Sequence, residues 1–109
     1  MSHPRFSGLS TQRQALIRRC QRIAFGKIAK FAVQDGEPLI LPETEVFIDV
    51  KLDSDDVSRP ELGLEDFDLP AEVVRLFAKM DAVRDGTVDH VEVRAGVPRR
   101  IVFTSFVQS

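Results

Sequence analysis

The sequence predicts an α+β fold built from two helix-hairpin (αββ) repeats related by a pseudo-twofold axis, with both helices on one face of an antiparallel sheet of four or five strands. Three observations predict it. The first is an echo: residues 10–41 return in outline as residues 70–101, both reading G-x-[IV]-x-x-[FV]-x-V-x-x-G-x-P from Gly26 or Gly86 onward. Gly26, Gly36 and Pro38 return as Gly86, Gly96 and Pro98, and such residues encode backbone geometry. The second is that the helical stripe before each copy keeps register, since Leu16, Ile17, Cys20 and Ile23 fall on Leu76, Phe77, Met80 and Val83. The third is strand alternation after each glycine. Identical residues are few, so two ordinary helix-hairpin units sharing turn chemistry stand as the alternative to a duplication.

Each element has a local cause. Residues 1–9 read as a lead-in, and Ser10 suits the N-cap of a helix whose apolar residues lie within about 120° of arc at a 100° step. Gly26 is expected to end this helix in a left-handed conformation, with Asp85-Gly86 closing the second. Asp68 and Pro70 suit the start of the second helix, because proline is tolerated in a first turn. After each helix comes a hairpin. Asp35-Gly36 alone permits a type I′ turn, but Ala95 resists positive φ, so a type I turn with a bulge at Gly36 or Gly96 satisfies both copies. Pro38 and Pro98 follow where no ladder donor is needed.

In the leading strands Phe31 and Val33, or Val91 and Val93, are expected on the core face. Lys30, Ala32 and Gln34, or His90, Glu92 and Arg94, are expected on a polar face. The second copy returns as a strand over 100–107 that is apolar on both sides. The first stops at Pro42 and resumes over 45–52, which predicts a bend or an extra strand. Residues 53–68 form an acidic linker with Pro60 and Gly63, expected to be an exposed loop.

At 109 residues the chain has the length of one domain, and one core suffices. With 43% apolar and 29% charged residues it reads as globular, and no apolar run reaches the ~20 residues of a membrane span. One cysteine excludes an internal disulfide, and no signal-peptide pattern is visible at the N-terminus, so a cytoplasmic protein is expected. The net charge of −2 hides a strong sorting. Residues 1–41 balance at +5, residues 42–85 at −8 and residues 86–109 at +1. Such bipolarity favours self-association, pairing within the fold, or a basic face shown to an anionic partner.

The chemistry-bearing residues are sparse. Counting from Asp53, a calcium loop needs Gly and Glu where Ser58 and Leu64 stand, so no metal is expected. Cys20 lies in the apolar stripe opposite Met80 in the repeat, the place of a buried thiol. His90 lacks a nucleophile or second titrating group beyond its neighbours, and an enzymatic role would require a concave pocket around it. No phosphate-cradling loop, Ser/His/Asp order or cysteine pair is present, so the chain is read as a non-enzyme without a cofactor. The face of Arg18, Arg19 and Arg22, with Arg13, Lys27 and Lys30 nearby in sequence, is the candidate contact for phosphates. A solvated helix face, or one paired with the acidic linker, is the plainer reading.

The stretch running from the first helix through Gly26-Lys27-Ile28, Phe31-Ala32-Val33 and Asp35-Gly36-Glu37-Pro38 resembles the small uncharacterised bacterial proteins of YezD type, each about one helix and one hairpin. The resemblance covers about thirty residues per half and implies two such units fused. It implies no activity and no functional residues. Function is therefore expected to be non-catalytic interaction or assembly, as a homodimer joined by the apolar returning strands around Phe106. Nucleic-acid binding through the basic helix face is the alternative.

Overall fold

A computed structural model describes residues 4–50, 52 and 66–105. Most of the acidic linker (Asp53, Asp55, Asp56, Glu61 and Glu65) and Phe106 lie outside the described residues. The fold is α+β, with two helices and a five-stranded antiparallel sheet. In chain order the elements are α1 (Thr11–Ile23), β1 (Gly26–Gln34), β2 (Glu37–Leu39), β3 (Glu45–Ile48), α2 (Ala71–Val83), β4 (Gly86–Arg94) and β5 (Val97–Ser105). A short 3-10 turn, Phe6–Gly8, precedes α1.

The sheet runs β2-β1-β4-β5, and β3 joins the same edge of β1 as β2. Where β5 is one continuous edge strand, the other edge is split: β2 pairs with residues 32–34 of β1 and β3 with residues 26–29, while residues 40–44 loop out between them. Pro42 within that loop accounts for the break. The centre of the sheet is the β1–β4 ladder. Gly26 faces Val93 and Val33 faces Gly86, so each pair joins a residue to the sixty-residue counterpart of the other's place.

Ile28, Phe31 and Val33 of β1 and Val88, Val91 and Val93 of β4 meet Leu16, Ile17, Cys20, Ile23, Val73, Leu76, Phe77 and Met80 of the helices in one core. Both helices therefore cover one sheet face. The spacing 28, 31, 33 departs from strict alternation. It requires an irregular residue in mid-strand, and Lys30 supplies it in β1 at φ 61°. The expectation that Lys30 simply alternates with Phe31 misses this step.

Two further expectations are corrected. The helices do not end on left-handed glycines. Each ends in a γ-turn centred on a non-glycine, Ala24 (φ 66°, ψ −62°) and Arg84 (φ 65°, ψ −63°), with Phe25 N–H donating to Ile23 O and Asp85 N–H to Val83 O, both at 2.8 Å. This strained geometry is over-determined by a crossed contact. Gly96 N–H donates to Ala24 O (2.9 Å) and Gly36 N–H to Arg84 O (2.8 Å), so each hairpin turn is pinned to the helix end of the other half.

The turns themselves are type I′. Gln34 pairs with Glu37 and Arg94 with Val97, which leaves two-residue loops, and both loop residues have positive φ: Asp35 51° and Gly36 78°, Ala95 53° and Gly96 78°. The twist of the strands and the bond to the opposite helix outweigh the resistance of Ala95. Relieving that resistance has a testable result. Ala95→Gly is expected to raise stability by roughly 0.5–1 kcal/mol in urea unfolding, the left-handed penalty less the added freedom of the unfolded chain.

Capping of α1 follows expectation, since Ser10 Oγ accepts from Arg13 N–H at 3.2 Å and donates to Glu37 Oε1 at 2.7 Å. For α2 the N-cap is Pro70, without a side-chain cap. Asp68 instead serves Arg5. Among the described residues no helix is long and apolar enough to cross a membrane.

Candidate functional site

Three surfaces hold the residues with chemical potential. The basic face of α1 is the first. Arg18, Arg19 and Arg22 line one groove together with Phe6, Thr11 and Gln14, and α1 contains no acidic residue. Arg18 is held in place: its guanidinium stacks 4.3 Å from the Phe6 ring and 5.5 Å from Phe67, and Nη1 donates to Gln21 Oε1 at 2.9 Å. Phe6 and Phe67 are themselves stacked at 5.0 Å.

The structure does not bring the other cations to this groove. Arg13 is an internal tie, only 18% exposed, reaching Asp81 (2.5 Å), Glu37 (3.2 Å) and Gly36 O (3.0 Å) while lying over the Phe77 ring. Its position at the junction of α1, α2 and the first hairpin turn leaves it no role toward a phosphate. Its Nε, 3.2 Å from Glu37, is nonetheless without a well-directed hydrogen bond. Lys30 pairs with Glu45 at 3.5 Å, and Lys27 stands over the Phe47 ring at 5.2 Å.

The described end of the acidic linker pairs with Arg5 rather than with the arginines of α1. Arg5 donates to Asp66 and Asp68, each at 2.8 Å, and Ser7 N–H also donates to Asp66. Bonding to Arg5 first, then to the Ser7 amide, holds the Asp66 carboxyl at a pKa of about 2. Because this value lies below that of an unfolded aspartate, the stabilisation is complete above about pH 4 and is lost as pH falls through about 2. In Arg5→Ala the NMR-monitored titration of Asp66 is expected to move up toward the ordinary aspartate range, the remaining depression coming from Ser7.

The second surface is the sheet face away from the helices. An open groove there is lined by Lys27, Phe47, Ile48, Asp49, His90 and Glu92. His90 sits where an imidazole meets two carboxylates. Its Nδ1 lies 2.6 Å from Asp89 Oδ2, a contact in which the ring N–H donates, and its Nε2 lies 4.0 Å from Glu92. The concavity an enzymatic role requires is thus present. The described groove lining supplies no serine, threonine or cysteine, so it offers proton-transfer groups without a hydroxyl or thiol nucleophile. Cys20 is remote from it, fully buried, and burial pushes its thiol up to about 12.

The third surface was not singled out from the sequence. Six described large apolar residues are exposed, and five of them lie on or beside β3: Leu41, Phe47, Ile48, Val50 and Leu52. Phe47 is 47% exposed and Ile48 61%. The alternation Val46, Ile48, Val50, Leu52 was visible, but which members lacked a covering layer was not. Val46 packs against the core, whereas Ile48 faces Gly26 across the ladder, a residue with no side chain to cover it. Gly26 itself is obligatory, with φ 154° and the carbonyl oxygen of Phe47 only 1.9 Å from where a Cβ would stand.

Among the described residues no group of three metal-binding side chains gathers. No family model matches the chain, and neither a curated protein nor a solved structure matches it.

Proposed function

We infer that this protein is a non-catalytic assembly module that works as a homodimer, joined through the exposed apolar surface of β3 and its flanks. The observation that carries this reading is the concentration of exposed Leu41, Phe47, Ile48, Val50 and Leu52 in the short stretch 41–52 that holds the edge strand β3. Clusters of exposed apolar residues mark interaction sites. A second copy is the occupant its charges favour. The rim carries both signs, with Lys27 and Lys30 beside Glu45 and Asp49, so a twofold contact can set opposite charges against each other. The outer edge of β3 also has no strand partner among the described residues.

Light scattering behind size exclusion tests the reading, with Ile48→Asp as the disrupting variant. A dimer for the native chain and a monomer for the variant support it. Monomer for the native chain at every concentration would end it.

The three arginines on one groove of α1, a helix without an acidic residue, support a second reading, nucleic-acid contact through Arg18, Arg19 and Arg22. Titration of RNA and DNA at low and moderate salt decides it. Absence of binding even at low salt would remove it.

A further inference from the structure

The sheet edge opposite β3 has different chemistry. β5 is nine residues long and pairs only with β4, so among the described residues its outer row of amides and carbonyls has no strand partner. Alongside it, a groove between α2 and β5 is lined by Arg75, Lys79, Arg99 and Arg100 over a floor of Leu76 and Ile101. Glu72 is the single acid among its described lining residues and is already engaged by Arg99 at 2.5 Å, while Arg100 reaches Glu92 at 3.5 Å. Arg75 and Lys79 have no ion-pair partner among the described residues.

We propose that this edge captures an extended acidic polypeptide segment, which adds to β5 as a further antiparallel or parallel strand and turns its carboxylates toward the cationic groove. Backbone pairing supplies affinity that does not depend on sequence, and alternate side chains supply the selection, because every second residue of an added strand faces α2. Arg75 and Lys79 on the helix then meet Asp or Glu at alternate positions, and the apolar floor receives an aliphatic neighbour.

Two other occupants fit this edge less well. A second copy pairing β5 with β5 would bring two identical cationic rims together, and like charges facing across a strand pair are destabilising. A nucleic acid would meet the same cations, but the described lining of the groove contains no aromatic ring on which a base could stack, and a nucleic acid leaves the edge amides unused. The site is separate from the β3 surface, so it stands whether or not the chain dimerises there.

The experiment uses the full chain and a fluorescent peptide alternating Glu and Val, titrated by anisotropy at low salt. Three companions accompany it: the same peptide N-methylated at alternate residues, a Lys-Val peptide, and a single-stranded oligonucleotide of matching charge. The Glu-Val peptide is expected to bind saturably and to slow hydrogen exchange at β5. N-methylation is expected to abolish binding, the Lys-Val peptide to fail, and the oligonucleotide to bind about tenfold more weakly or less. Arg75→Glu combined with Lys79→Glu should weaken the peptide by about tenfold or more, whereas Arg19→Glu on α1, with native circular dichroism required of both proteins, should change it by less than about twofold. Failure of the Glu-Val peptide to bind, indifference to N-methylation or to the α2 variant, or an oligonucleotide that binds as tightly would overturn the proposal. Concentration-dependent protection of β5 without peptide would instead assign the edge to a second copy, and equally overturn it.

Discussion

Gly26→Ala is expected to destabilise the protein by roughly 3 kcal/mol, the joint cost of a positive φ and of a Cβ driven into backbone. The new methyl group would stand 1.9 Å from the Phe47 carbonyl oxygen, and a backbone atom cannot rotate away as a side chain can. The least costly response is for β3 to part from β1 at the Gly26–Ile48 end of their ladder. Two readouts separate this from general loosening. Urea unfolding should show the loss of stability, and hydrogen exchange should show the β1–β3 amides opening before those of β1–β4. Equal protection of both ladders would contradict the assignment of Gly26 to the β3 contact.

Leu16→Ala should produce the other large loss, roughly 2–5 kcal/mol, with the upper part of that range expected where the core cannot collapse. Leu16 is fully buried, and it belongs to a core shared with fully buried Ile28, Met80, Val88 and Val91. Those partners come from β1, β4 and α2, so the cavity is bounded by elements that the crossed bonds from Gly36 to Arg84 and from Gly96 to Ala24 hold in place. Chemical denaturation with an unchanged m-value is the check. A loss near that of an exposed position, well under 1 kcal/mol, would mean that α1 does not seal the sheet as described.

How far these features are legible without coordinates differs from residue to residue. The fold class followed from two periodicities, 3.6 along the Leu16 and Leu76 stripes and 2 along the strands, because side-chain direction alone generates both. Burial of Cys20 was legible for the same reason, since a thiol in an apolar stripe has nowhere else to go. The turns were not. Ala95 argued locally against positive φ, and what reverses that argument is a bond from Gly96 to a helix end some seventy residues earlier in the chain. Helix termination misleads for a related reason: a glycine three residues past a helix suggests a cap, but Gly26 is there to admit the Phe47 backbone. The spacing Ile28, Phe31, Val33 did carry the mid-strand irregularity, as a step of three in a pattern of two.

The candidate sites were less legible than the fold. Six cations on or near α1 in sequence form one cluster on paper, yet Arg18, Arg19 and Arg22 line the helix groove while Arg13 ties into Glu37 and Asp81, Lys27 joins the opposite sheet face and Lys30 turns to Glu45. Strand residues alternate faces and helix residues do not, so adjacency in sequence across the α1–β1 boundary does not carry over into space. The cationic groove at β5 draws on α2 and β5, about twenty residues apart, and neither element alone is unusually basic. The apolar surface at β3 depended on knowing that Pro42 and the 40–44 loop leave β3 as a bare edge.

The homodimer proposed above joins two copies of this chain through the β3 surface. Its most direct test is the absolute mass by light scattering across a concentration series for the native chain and for Ile48→Asp. The account predicts twice the 12.3 kDa of one chain for the native protein at micromolar concentration and above, and a single chain for a variant that keeps its native circular dichroism. A native protein that remains at 12.3 kDa throughout, or a variant that stays dimeric, would contradict it.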